Sequence, residues 1–197
     1  MNDHDPVRRN FLHIVTGCGV VGLCALDCAR SQQPAPPKAL SESDKIEIGG
    51  QGQAIIEKAR SLGREYHAQY GGCSQTSLMA IQDSVPFVPK DEMVVMAAAP
   101  LSGAATRTRN ASCGAFTGCG LAIGSVCGRT RATLAAKPQL AGKLMLEIND
   151  RFVGTWGSVL CSEIRPKVDG KCAEEVVSRA AAWCAEILLK QFTNYRG

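Results

Sequence analysis

Aromatic residues make up only 5% of this 197-residue chain, and it has no block of basic charge: 22 lysines and arginines and 18 acidic residues are spread along it, for a net charge of +4. Without aromatic platforms or a basic stripe there is little to stack on bases or to follow a phosphate backbone, so nucleic acid is not an expected partner. Histidine is nearly missing. Of the three present, only His67 lies beyond the first thirty residues, which leaves few groups for acid-base chemistry near neutral pH. No Ser-His-Asp or Cys-His arrangement stands out, and the expectation is an electron carrier or redox subunit rather than a stand-alone enzyme. Neither C-x-x-C nor C-x-x-C-H occurs, so neither the usual announcement of a thiol oxidoreductase nor a c-type haem is present. No segment alternates like a strand.

Cysteine, by contrast, is abundant: ten residues, of which Cys18, Cys24 and Cys28 fall in the first thirty. The remaining seven, an odd number, cannot all pair within one monomer, which argues against a pure disulfide framework. The first thirty residues have the shape of a signal peptide. Arg8 and Arg9 stand just before an apolar stretch from Phe11 to Leu26 that is broken by His13 and several glycines, too short and glycine-rich for a spanning helix of roughly 20 residues. Adjacent arginines followed by Asn10-Phe11-Leu12 match a twin-arginine leader. The expected organisation is therefore a twin-arginine signal peptide over residues 1–30, a flexible Pro/Ala/Ser linker over 31–45, and a helical cysteine-rich domain over 46–197. The expected location is the periplasm, with membrane contact only through the leader. Proteins exported by that route travel folded, commonly because a cofactor is inserted first.

From residue 46 onward the pattern is helical, and the expected fold is all-α with a single domain. Ala54, Ile55, Ala59, Leu62 and Tyr66 recur at three- and four-residue spacings and are stopped by Gly71-Gly72. A short helix from Cys73 to Asp83 is broken by Ser84-Val85-Pro86. Helix resumes from Asp91 to Ala99, followed by a polar loop to Asn110. Further helices are expected over Cys113–Cys127, Pro138–Thr155 and about Lys171–Phe192.

This reading puts Cys73, Cys113 and Cys172 at or near helix starts, where free backbone N–H groups stabilise an anionic sulfur. Cys161 precedes Cys172 by eleven residues across a turn at Pro166 to Gly170 that can bring the two together. Cys113 and Cys127 lie roughly 21 Å apart on one helix, and Cys172 and Cys184 about 18 Å, too far to share one compact centre. Cys119, six positions from Cys113, turns to another face. The best four-ligand set is thus Cys73, Cys113, Cys161 and Cys172, with Cys119, Cys127 and Cys184 read as small buried residues. Gly114, Gly118, Gly120 and Gly124 recur at four-residue spacings, which suits either tight helix packing or a cofactor pressed on the backbone. His67 reads as a boundary residue.

These residues resemble the family of redox-active proteins named for a C_GCAxxG_C_C motif. The resemblance runs through Gly72-Cys73-Ser74-Gln75, the block Cys113-Gly114-Ala115-Phe116-Thr117-Gly118, then Cys161 and Cys172. It departs from the family name at Gly114, which stands between the cysteine and Ala115. It implies a helical domain with an iron-sulfur cluster bound by those four cysteines, working with a redox partner protein. It extends to split-Soret cytochrome c, whose haem motifs this chain lacks, and by that analogy a homodimer is expected. Two other readings of the cysteines stay open: a structural four-cysteine zinc domain and a disulfide-stapled periplasmic binding protein.

Overall fold

A computed structural model describes residues 38–136 and 139–197, which fall within a unit spanning Ala39–Gly197 apart from Lys38. The expected leader, with Arg8 and Arg9, lies outside the described residues. The described residues are all-α, with seven helices and only two isolated β-bridges, Ile46 with Thr193 and Ser112 with Leu160. None of these helices is long and apolar enough to cross a membrane.

Helix α1 spans Gly52–Tyr70 and buries Ile55, Ile56 and Ala59; of the expected stripe Leu62 and Tyr66 are half-buried, and Ala54 is exposed, its place in the core taken by Ile56. It stops where Gly71 and Gly72 take φ of 68° and 63°, a region open to glycine at little cost. Helix α2 (Cys73–Ser84) starts at once. Pro86 follows, and α3 (Glu92–Ala98) opens with the Asp91 side chain accepting from Met93 N at 2.8 Å, an N-cap of the ordinary kind. Helices α4 (Gly114–Cys127) and α5 (Gln139–Trp156) follow. Next comes α6 (Cys161–Lys167), then one π turn (Ala173–Val177) that runs directly into α7 (Ser178–Phe192).

Helix α7 is the axis of the core. Ala180, Ala181, Cys184, Ala185, Leu188 and Leu189 are fully buried on it, and α1, α2, α4 and α5 all pack against it. Its alanines let the neighbouring helices approach closely. The seam between α4, α5 and α7 is filled by Phe116, Phe152, Trp156 and Trp183, with ring centroids 4.9–5.8 Å apart, each such pair adding about 0.5–1.5 kcal/mol beyond its area. Ahead of α1, Leu40 N donates to Val126 O at 2.8 Å and Ile46 N to Phe192 O at 2.7 Å.

Helices therefore stand where the sequence expects them, with one addition. Residues 161–167, read as approach to a turn, form α6 with Pro166 inside it. The ring is tolerated because the helix ends one residue later, so only the bond to Ser162 O is forgone.

Candidate functional site

The first turns of α2, α4 and α6 and the entry to the π turn carry Cys73, Cys113, Cys161 and Cys172 respectively. Cys161 thus shares the helix-start position that the sequence assigns only to the other three. Two local devices gather these starts. The first is the glycine pair of α4. A Cβ at Gly114 would stand 2.8 Å from Cys73 Cβ and 2.9 Å from Ser74 N, and one at Gly118 would stand 2.5 Å from Ser74 O. Only glycine permits α4 to lie this close to α2, and that closeness sets Cys113 beside Cys73. Gly120 makes ordinary contact with Met145, and Gly124 faces open space, so tight packing accounts for two of the four glycines and no more.

The second device is a two-strand clip. Cys113 N donates to Val159 O at 2.7 Å, Cys161 N to Ala111 O at 3.0 Å, and Ser162 N to Arg109 O at 3.0 Å. These bonds flank the Ser112–Leu160 bridge and hold the Cys113 and Cys161 segments side by side. Arg109 takes a left-handed φ of 55° to enter the clip. Gly103 completes it: a Cβ there would fall 2.1 Å from Cys161 Cβ.

The thiols feel one another. The neighbouring Cys172 thiol, then burial, then the charges of Cys113, Cys172 and Cys161 push the Cys73 pKa far up. The pairing acts in the opposite sense on Cys172: against the opposing effect of burial, Cys73 and the guanidinium groups of Arg165 and Arg109 bring that thiol down to about 6. Of the two, Cys172 is therefore the one that favours the thiolate, where the arginines are. Burial raises Cys113 to about 12, although the backbone N–H groups of Ala115 and Phe116 at the start of α4 oppose the rise. Cys161 is raised by burial and by Cys172, with Arg109 and Arg165 opposing.

His67, in the last turn of α1, sets Nε2 3.2 Å from Cys73 Sγ. Burial lowers its pKa, Glu174 opposes that, and Arg165 adds to it, so the imidazole is neutral at pH 7 and able to donate to the sulfur. The sequence reading treats His67 as a boundary residue, and half-buried it is, but it touches the site. Arg109 and Arg165 are also absent from that reading. A signal existed for Arg165, four residues after Cys161 and hence on the same face of a helix.

The other three cysteines are elsewhere. Cys119 and Cys184 are fully buried between α4 and α7. Cys119 Sγ donates to Ala180 O at 3.4 Å, and Cys184 Sγ lies 3.9 Å from Cys119 O. Cys127 donates to Ile123 O within its own helix at 3.3 Å. Cys119 and Cys184 fit the reading of small buried residues, although their mutual contact goes beyond it, whereas Cys127 is only half-buried and departs from it. Among the described residues, no three Cys, His, Asp or Glu side chains stand close enough to hold a single metal ion.

A family model described as "Putative redox-active protein (C_GCAxxG_C_C)" matches residues 70–190, which include all four site cysteines. No curated protein and no solved structure matches the chain.

Proposed function

Because this chain belongs to the C_GCAxxG_C_C family, which supports a redox role, we propose that it is an exported electron-transfer protein whose Cys73, Cys113, Cys161 and Cys172 hold an iron-sulfur cluster. The observation that carries the reading is the gathering of cysteines from separate segments: the α2–α4 approach at Gly114 sets Cys113 beside Cys73, and the clip holds the Cys161 segment beside that of Cys113. Four cysteine thiolates are the usual ligands of such centres.

The donor set fits the group. Burial disfavours the charged form of Cys73, Cys113 and Cys161, and a cationic centre among them would relieve that penalty, as metal binding generally does for thiols. A bound cluster supplies one-electron transfer. The chain's own residues do the rest: the Ala115 and Phe116 N–H groups at the start of α4 favour negative charge on Cys113, and His67 sets Nε2 3.2 Å from Cys73 Sγ. The Arg8-Arg9 leader supports export of a chain already folded around its cofactor.

The test is anaerobic purification from a cluster-competent cytoplasm. A brown protein is expected, with iron and labile sulfide in comparable amounts and an EPR signal in one oxidation state. Colourless, iron-free protein would overturn the reading.

One observation favours a second reading within the same redox class. The neighbouring Cys73 and Cys172, with the thiolate favoured on Cys172, have the makings of a dithiol. The Cys172 thiolate would attack a substrate disulfide and release one thiolate, forming a mixed disulfide. Cys73, after losing its proton, would then attack the Cys172 sulfur and release the second thiolate. The pair is oxidised by two electrons and the substrate disulfide reduced by two. Treating iron-free protein with a model disulfide such as dithionitrobenzoate should leave a Cys73–Cys172 disulfide in peptide maps, whereas Cys73→Ser should stop at a mixed disulfide on Cys172, and that pair of results would favour this reading over the cluster.

A further inference from the structure

We infer that Arg109 and Arg165 set the reduction potential of the centre held by the four cysteines, by placing two uncompensated positive charges beside Cys161 and Cys172. The inference rests on the iron-sulfur reading above. Neither guanidinium makes an ion pair among the described residues, whereas Arg60, Arg151 and Arg179 each meet a glutamate.

The local backbone is built to hold them there. Arg165 lies one helical turn after Cys161 on α6, and its carbonyl accepts from Val168 N at 3.4 Å and from Gly170 N at 3.2 Å. These bonds fold the chain back so that the Arg165 guanidinium lies over Gly170, 3.8 Å from where a Cβ would stand there, next to Cys172, whose own N–H donates to Gly170 O at 2.8 Å. Arg109 is fixed from the other side. Its carbonyl accepts from Ser162 N, directly after Cys161, and it occupies a left-handed φ of 55° that an arginine rarely adopts. Outliers of this kind gather at functional sites.

Reduction adds one electron, and with it one unit of negative charge, to a centre already ringed by four thiolates. Two fixed cations at its edge favour the reduced form over the oxidised one and raise the potential. His67 and the helix-start N–H groups act on single sulfurs, whereas both arginines act on Cys161 and Cys172 together.

The experiment compares wild type with Arg165→Gln, Arg109→Gln and Arg165→Lys, purified anaerobically with the cluster in place. Iron and sulfide are counted first, and the midpoint potential is then read by EPR and visible absorption. Arg165→Gln should keep its cluster and shift the oxidised-to-reduced ratio at a fixed potential about tenfold toward oxidised, a fall of about 59 mV for a one-electron couple. Arg109→Gln should move the same way. Arg165→Lys, which keeps the charge, should stay close to wild type. Added salt should lower the wild-type potential toward that of Arg165→Gln, since Arg165 is exposed, and this readout serves if a variant fails to fold. Full clusters with unchanged potentials in both glutamine variants, and no response to salt, would overturn the inference and leave the cluster reading intact. Wild-type protein without iron and sulfide would overturn the cluster reading itself, and this inference with it.

Discussion

Helix α4 carries Cys113 at its start and Cys119 six residues on, and the chain segment ending in α7 carries Cys172 at the entry to its π turn and Cys184 twelve residues on. The two ends of this pairing could hardly differ more. Cys113 and Cys172 stand at helix starts, among other thiols and two unpaired arginines, one of them ionised near neutral pH. Cys119 and Cys184 are fully buried, touch each other, and have backbone carbonyls as their remaining polar neighbours. Carbonyls accept from a thiol but cannot stabilise a thiolate, and contact with Cys184, then burial, push the Cys119 pKa well up. Residue type is the same throughout; position relative to helix ends and cations separates a chemical site from a packing site.

The comparison breaks most visibly by substitution. Replacing any one of Cys73, Cys113, Cys161 or Cys172 with serine should remove most of the iron and sulfide, whereas Cys119→Ala and Cys184→Ala should retain both. Loss of the cluster in Cys119→Ala, in protein that circular dichroism shows to be folded, would erase the distinction. Alkylation of reduced, metal-free protein should sharpen it. At pH 7 a thiol with a pKa of about 6 is roughly nine-tenths thiolate, against about one part in 10⁵ for Cys113 at about 12. Iodoacetamide followed by peptide mapping should therefore label Cys172 first and Cys119 and Cys184 last. Linkage gives the sign for stability. The folded pKa of Cys172 lies below its ordinary value of 9.0, so its contribution is complete above about 9 and is lost as pH falls through about 6. Cys113 is raised, so its contribution is present below 9 and lost as pH rises toward 12. Denaturation midpoints of the metal-free protein should rise between pH 6 and 9, and Cys172→Ser should flatten that limb.

Much of this was legible before any coordinates. Gly71-Gly72 and Ser84-Val85-Pro86 are local stop signals, and the apolar period of α1 needs no tertiary information, so the helices fall where expected. The four-cysteine set followed from distance along a helix, a property of the chain alone. What could not be read is whatever depends on one segment meeting another. His67 and Cys73 are six residues apart, but only the positive φ of Gly71 and Gly72 turns the imidazole onto the sulfur. Arg109 reaches the site through the clip with residues 159–162, a pairing of two short irregular segments with no periodicity to announce it. The Cys119–Cys184 contact depends on how α4 crosses α7.

The glycines of α4 carry the same contrast into packing, with smaller effects. Gly118→Ala would put a Cβ 2.5 Å from Ser74 O, a backbone atom that cannot yield without moving α2. Overpacking of this kind costs about 1–3 kcal/mol. Because α2 and α4 carry Cys73 and Cys113, the variant should also lose part of its iron, so urea midpoint and metal content should fall together. Unchanged stability would show that the α2–α4 approach is not what gathers the two cysteines. Gly124→Ala meets nothing within 4 Å, and on the same helix it should do the reverse, adding up to about 1 kcal/mol through helix propensity alone. Its cluster content and potential should not move, because no part of the cysteine site leans on that turn. A Gly124→Ala protein that gained stability yet lost iron would tie the distal half of α4 to the site, and the division between a chemical end and a packing end would have to be redrawn.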